Sequence, residues 1–342
     1  MIELRNISKS FNSGTPNETQ IFENFNLTLN EGDFVTIIGG NGSGKSTLVN
    51  IISGSMTPDE GDVFLNNTRI TKMREHQRAP YFGRVFQDPM VGTASDMTVI
   101  ENLALAYGRR RSRSLFRWSY HMSDVQTFCD DLKILDLGLE ERLYQKVGLL
   151  SGGQRQALTL LMATMRNKPS HARIKRDYVR FTNGNKKGAL NTFNQAFVTA
   201  KAKYVDTKNE IKNNKALNKE IQKRLLQVAF EQFDRSIRKF DLTKPVLLLD
   251  EHTAALDPKT AEKVLEITEK IVTENALTTV MITHNMKDAI RYGNRLIMLS
   301  QGQIIADVSG EAKKKLTIES LLKMFVVHSK NDMLPDSIIL GD

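Results

Sequence analysis

The run Phe34-Val35-Thr36-Ile37-Ile38 passes without a break into Gly39-Gly40-Asn41-Gly42-Ser43-Gly44-Lys45-Ser46-Thr47, and Leu48-Val49-Asn50-Ile51-Ile52 follows. Such a β-branched run reads as a buried strand, and the apolar stretch beyond the glycines reads as helix. Strand, glycine-rich turn and helix in this order fit the phosphate-loop pattern Gly39-x-x-x-x-Gly44-Lys45-Ser46. The glycines let backbone N–H groups converge on an anion, and the helix behind them presents the positive end of its dipole. Lys45 would reach the β- and γ-phosphates of a nucleotide, and the Ser46 hydroxyl would hold Mg²⁺. A chance glycine turn would lack the matching strand and helix. Gly39, Asn41, Gly42, Gly44, Lys45, Ser46 and Thr47 are therefore the candidate nucleotide-binding positions.

Far along the chain, the apolar run Val246-Leu247-Leu248-Leu249 ends at Asp250-Glu251. A buried strand ending in two acids would place Asp250 beside the loop as a metal ligand, with Glu251 free to orient or deprotonate an attacking water. Alone, the acidic pair reads as a helix cap or solvated loop; with a phosphate loop in the same chain, the catalytic reading prevails. Leu150-Ser151-Gly152-Gly153-Gln154 is a second glycine pair opening a helix, an anion site without a lysine of its own.

Around these motifs, residues 2–7 and 21–30 alternate as antiparallel strands do, and 61–70 is a strand candidate after the turn signal Pro58-Asp59-Glu60-Gly61. The pattern is helical over about 96–147, including the basic, Trp-containing stretch 109–118, and again after Ser151. A helix over about 258–274, a strand over 278–282 and a helix over about 286–292 complete the alternation of a parallel α/β sheet. Residues 170–244 hold no Pro, and apolar residues there recur at helical spacing on either side of Asn213-Asn214-Lys215. This predicts a helical hairpin with its turn at those residues.

Composition narrows the function classes. Forty per cent of the 342 residues are hydrophobic, which excludes wholesale disorder, and the single Cys129 excludes an internal disulfide. The reading is a reducing, intracellular protein with no secretory leader and no membrane-spanning run. The net charge of +9 invites nucleic acid, but residues 170–244 alone carry 18 Lys and Arg against 7 Asp and Glu, and the remainder is at −2. The basic character belongs to one segment.

The ordered set Phe11, Gly39–Thr47, Gln87, Leu150–Gln154, Asp250-Glu251, Ala255-Leu256-Asp257 and His284 resembles the ABC-type ATPase subunits over about residues 1–169 and 245–310. The resemblance implies a P-loop α/β core with an antiparallel β-subdomain, a helical subdomain over about 90–165, and the hairpin of 170–244 as an insert. Residues 311–342 would form a C-terminal helical extension. It further implies that Phe11 stacks on adenine, that Gln87 bridges Mg²⁺ and the helical subdomain, and that His284 contacts the γ-phosphate. Ser151 and Gly153 would meet the γ-phosphate held by the opposite subunit, with Asp257 at the dimer interface. ATP and Mg²⁺ are the implied ligands, and Glu251, His284, Lys45 and Gln87 the implied catalytic set. His252 stands where most members have Pro; it could tune Glu251 or be a structural neighbour.

The blocks Gly83–Pro89, Glu101–Tyr107, Leu158–Thr164 and Asp250–Asp257 resemble an importer-type group assigned to tryptophan- or tyrosine-like amino-acid uptake. That implies a homodimer on the cytoplasmic face of the membrane, docked on permease subunits and served through them by a solute-binding protein. The basic stretch 109–118 would face the membrane or permease. The alternative is a non-transport ABC ATPase acting on nucleic acid or ribosomes. The insert is expected to point away from the phosphate site, and three roles stay open for it: a solvated hairpin, a contact with anionic lipid or a partner protein, or nucleic-acid binding.

Overall fold

The computed structural model describes residues 1–107, 122–165, 171–181, 186–214, 218–238 and 246–328; the basic stretch 109–118 and residues 329–342 lie outside them. The chain divides into two compact units, one of Met1–Leu65, Arg69–Asn167 and Pro245–Asp342, the other of Asn66–Thr68 and Lys168–Lys244.

The strands are β1 (Ile2–Phe11), β2 (Thr19–Leu29), β3 (Phe34–Gly39), β4 (Glu60–Leu65), β5 (Thr68–Arg69), β6 (Phe82–Val85), β7 (Val246–Asp250), β8 (Thr278–Ile282), β9 (Arg295–Ser300) and β10 (Gln303–Ser309). One sheet, ordered β2-β1-β4-β5, pairs β1 antiparallel with both β2 and β4. The other, ordered β10-β9-β3-β8-β7-β6, is parallel from β9 to β6 and closes with antiparallel β10. β3 and β8 are buried along their whole length, as strands covered on both faces must be, and this is why they show no alternation of buried and exposed positions; their polar residues Thr36, Thr278 and Thr279 are buried too.

The 61–70 segment is two strands rather than one. Asn66 and Asn67 have φ of 46° and 61°, the left-handed pair of a two-residue hairpin turn, which Asn tolerates better than other non-glycine residues.

The helices are α1 (Lys45–Ser53), α2 (Glu75–Arg78), α3 (Val99–Tyr107), α4 (Met122–Lys133), α5 (Gly152–Thr164), α6 (His171–Phe181), α7 (Lys186–Asn213), α8 (Lys219–Arg238), α9 (Pro258–Asn275), α10 (Met286–Arg291), α11 (Gly310–Lys314) and α12 (Ile318–His328). Leu247 and Leu249 of β7 pack with Leu103, Phe128, Leu158, Leu161 and Ile271, so α3, α4, α5 and α9 share one core with the sheet. Cys129 packs against that same core. Ile38, Leu296 and Met298 gather Met286, Leu321 and Phe325 of α10 and α12 into a second.

The second unit corrects the two-helix expectation, because three helices are described. α7 ends at Asn213, as the sequence predicts, and α8 returns from Lys219. The additional helix α6 is set apart from α7 by Thr182-Asn183-Gly184-Asn185, a run of turn-forming residues. Ile174 of α6 and Phe193 of α7 are buried together with Tyr178, Phe197 and Phe233 around them. Phe197 meets Phe233 edge-on at 5.8 Å and Tyr204 stacks on Phe233 at 5.5 Å, so these aromatics are spent on packing.

Candidate functional site

Strand β3 ends at Gly39, where an added Cβ would stand 2.2 Å from the Leu299 carbonyl oxygen; only glycine fits. Gly44, at φ 98°, is the N-cap of α1, and a Cβ there would strike the Phe22 ring at 2.7 Å. These two glycines fold the turn back on the sheet and aim the first N–H groups of α1 into the loop. The far end of the helix is fastened by Arg78, whose guanidinium donates to the Ile51, Ile52, Ile70, Thr71 and Met73 carbonyls. Burial lowers its pKa to about 10.

Lys45 is buried and donates from Nζ to the carbonyls of Gly39 at 2.8 Å and Gly40 at 2.9 Å. Burial pushes its pKa down, and the charges of Glu251 and Asp250 oppose that shift. Lys45 therefore lies within electrostatic reach of both acids. Ser46, Asn41 and Gly42 are exposed on the loop, and Thr47 is half-buried. The Ser43 hydroxyl is buried with no hydrogen-bond partner. Such an orphan costs free energy unless a further acceptor receives its hydrogen bond.

Two carboxylates close the site at the end of β7. Asp250 Oδ2 accepts from Arg84 Nη2 at 3.0 Å, and both side chains are 16% exposed. Glu251 Oε1 lies 2.5 Å from His284 Nε2. Glu251 also holds φ at 48°, a left-handed conformation uncommon outside glycine, while its N–H donates to the Ile282 carbonyl. Backbone strain at such a residue costs on the order of 1 kcal/mol.

His252, the next residue, turns the other way. It is fully buried, and burial lowers its pKa to about 4. The Thr268 hydroxyl donates to the Val264 carbonyl, so its oxygen is left to accept from His252 Nε2 at 3.2 Å. Of the two roles open for His252, the structural one holds.

The remaining candidates are more dispersed. Gln87 is exposed just beyond β6. Phe11 pairs with Thr19 at the end of β1, its ring 37% exposed and 6.0 Å from Lys9 Nζ. Asp257 caps α9 by accepting from the Thr260 N–H; hydrogen bonding from the Thr260 hydroxyl, and then from that N–H, holds its carboxyl below the usual range. Ser151 caps α5 in a reciprocal box with Gln154. Gly153 is required for close packing, because a Cβ there would meet Thr260 Cγ2 at 2.1 Å.

Of the sequence candidates, the structure brings Lys45 within electrostatic reach of Asp250 and Glu251 and sets His284 against Glu251; Ser43 of the loop and Arg84 beside Asp250 are not among those candidates. Ser43 is a variable position of the loop motif. Arg84 stood inside the quoted block Gly83–Pro89, but nothing local reveals a partner 166 residues away.

The family description "ABC transporter" matches residues 22–170. A tyrosine transport ATP-binding protein of Clostridioides difficile is 35% identical over 325 residues, 95% of this chain and 98% of that one. The spermidine/putrescine import protein PotA of Pasteurella multocida is 26% identical, over 90% of this chain and 58% of that one. Among solved structures, the dimeric post-hydrolysis state of the ATP-binding cassette MJ0796, bound to ADP and Pi, superposes with a TM-score of 0.58. It is 24% identical over 90% of this chain and 98% of that one. A nucleotide-free ABC cassette superposes with 0.58 at 21% identity, over 97% and 99%.

Proposed function

The chain belongs to the ABC transporter ATP-binding family, and from that premise we propose that it energises a membrane importer of amino acids or similar small solutes. It binds and hydrolyses ATP. The observation that carries the site assignment is the buried Lys45, held on the Gly39 and Gly40 carbonyls within reach of Asp250 and Glu251.

In the proposed cycle, Lys45 and the loop N–H groups bind the β- and γ-phosphates, with the Ser43 hydroxyl as a further donor. Ser46, Asp250 and Gln87 supply oxygens suited to Mg²⁺, which when bound neutralises phosphate charge. Glu251 orients water for in-line attack on the γ-phosphorus and takes its proton as the bond to the ADP oxygen breaks. His284 holds the Glu251 carboxylate and is proposed to contact the γ-phosphate. Phe11 is proposed as the adenine platform.

Each chain has one phosphate loop and one Leu150–Gln154 motif. Ser151 and Gly153 of a second copy are proposed to complete the site, with Asp257 at that interface. The ATPase domain would comprise 1–169 and 245–310, with a helical subdomain over about 90–165. Residues 170–244 would be an insert and 311–342 an extension. Among the described residues no helix is long and apolar enough to cross a membrane. Permease subunits, served by a solute-binding protein, would then hold the cassette at the cytoplasmic face.

Glu251→Gln tests the chemistry: nucleotide binding should persist, hydrolysis should fall by about 10²–10⁴-fold, and a nucleotide-bound dimer should accumulate on gel filtration. Wild-type turnover in that variant would refute the base assignment. Co-purification with a permease supports the transport reading, whereas salt-sensitive RNA or DNA binding lost on deleting 170–244 would replace it.

A further inference from the structure

Both acids at the end of β7 are engaged by basic groups. Glu251 rests on His284, and Asp250 on Arg84. The second pair is the unusual one, because Asp250 is the proposed metal ligand and Arg84 carries a permanent charge.

Several contacts hold the Arg84 guanidinium in place. Its Cζ lies 4.7 Å from the centroid of the Phe86 ring, and its Nη1 is 3.4 Å from Ser55 Oγ beyond the end of α1. Its Nε is buried without a hydrogen-bond partner. Packing alone would not select such a group, since a Met would fill the space without leaving a buried donor unpaired. Among the described residues, the Asp250 carboxylate is the one charged partner of this guanidinium.

The protein's own donors for a divalent ion are few. Among the described residues there is no group of three or more His, Cys, Asp or Glu that could hold a metal. A Mg²⁺ ion here would rely on phosphate oxygens for much of its coordination, as such ions commonly do.

Resting on the ATPase reading above, we propose that Arg84 makes metal entry conditional on nucleotide. With the guanidinium paired to Asp250, a free divalent cation meets a carboxylate already engaged and a like charge beside it. Nucleotide phosphates bring the negative charge that shifts this balance, and the cation enters with them. Arg84 is thus a specificity-determining residue for the form in which the metal is taken up, not a catalytic one.

The test uses the full chain, with Mn²⁺ as a paramagnetic probe followed by electron paramagnetic resonance, first without nucleotide. Arg84→Met should bind Mn²⁺ at least tenfold more tightly than wild type, and Arg84→Lys should stay close to wild type. Adding Asp250→Asn to Arg84→Met should abolish the gain. In the presence of ATP, wild type and Arg84→Met should both retain the ion. ATP binding, measured in parallel by a fluorescent analogue, reports that each variant is folded, and Arg84→Gln replaces Arg84→Met if the latter does not fold. Equal Mn²⁺ affinity in folded wild type and variant, or a gain that survives Asp250→Asn, overturns the proposal and leaves the ATPase reading standing. Failure of the wild type to bind ATP at all would overturn the ATPase reading, and this proposal with it.

Discussion

In the unit that holds the phosphate loop, two neighbouring strands are buried from end to end, and two loop glycines have no room for a Cβ. In the unit of Lys168–Lys244, helices of 28 and 20 residues meet through aromatic rings, while Val198 stays 65% exposed and Val228 49%. The first arrangement can fix the angle of a hydroxyl or carboxylate, because every neighbour is itself fixed. The second fully buries the Phe193 ring, leaves Phe230 44% exposed and keeps most of its described charged side chains at the surface. Hydrolysis chemistry needs the first kind of frame. The basic charge collected in the second asks only for a surface.

That contrast can be broken most forcefully within the insert. Phe193 is 2% exposed at the centre of the helical cluster, so Phe193→Ala should destabilise that unit by about 3–5 kcal/mol. Hydrogen exchange should then quicken in α7 and α8 while amides of β3 and β7 keep their protection. Equal loss of protection in the sheet would mean that the two units fold as one.

A smaller effect comes from the frame side. His252 has its folded pKa lowered to about 4 from an ordinary value near 6.5, so the unfolded chain binds the extra proton first. The stability it confers is complete above about pH 6.5 and is lost as pH falls toward 4, by about 3 kcal/mol at the acid limit. His252→Leu should flatten that part of the denaturant-midpoint profile, with Thr268 still donating to Val264. An unchanged slope would show that other groups govern the acid transition.

The smallest change is expected from removing the insert. Deleting 170–244 with a short linker should leave the ATP dissociation constant within about twofold of wild type, since the site is drawn from the other unit. Loss of folding and binding together would show that the second unit supports the core.

How legible each part was follows from its range in sequence. The phosphate loop could be read because its strand, glycines, lysine and helix are contiguous, and local steric rules fix their geometry. Asp250-Glu251 could be read because a buried strand announces itself by an apolar run. The count of helices in 170–244 was harder, since amphipathic periodicity runs through a break such as Thr182–Asn185 without marking it strongly. The 61–70 hairpin was hidden for a similar reason: two Asn residues look polar before they look left-handed.

The sequence by itself determined that a phosphate-binding α/β cassette is present, which residues line its loop, and that the excess positive charge lies outside it. Only the tertiary structure decided the pairings. It placed Arg84 against Asp250, His284 against Glu251, and His252 into the core beside α9. These choices depend on which strands neighbour one another and how closely they approach. Hydrogen bonds and ion pairs fall off within a few ångströms, so spacing along the chain carries little information about partners joined only by the fold.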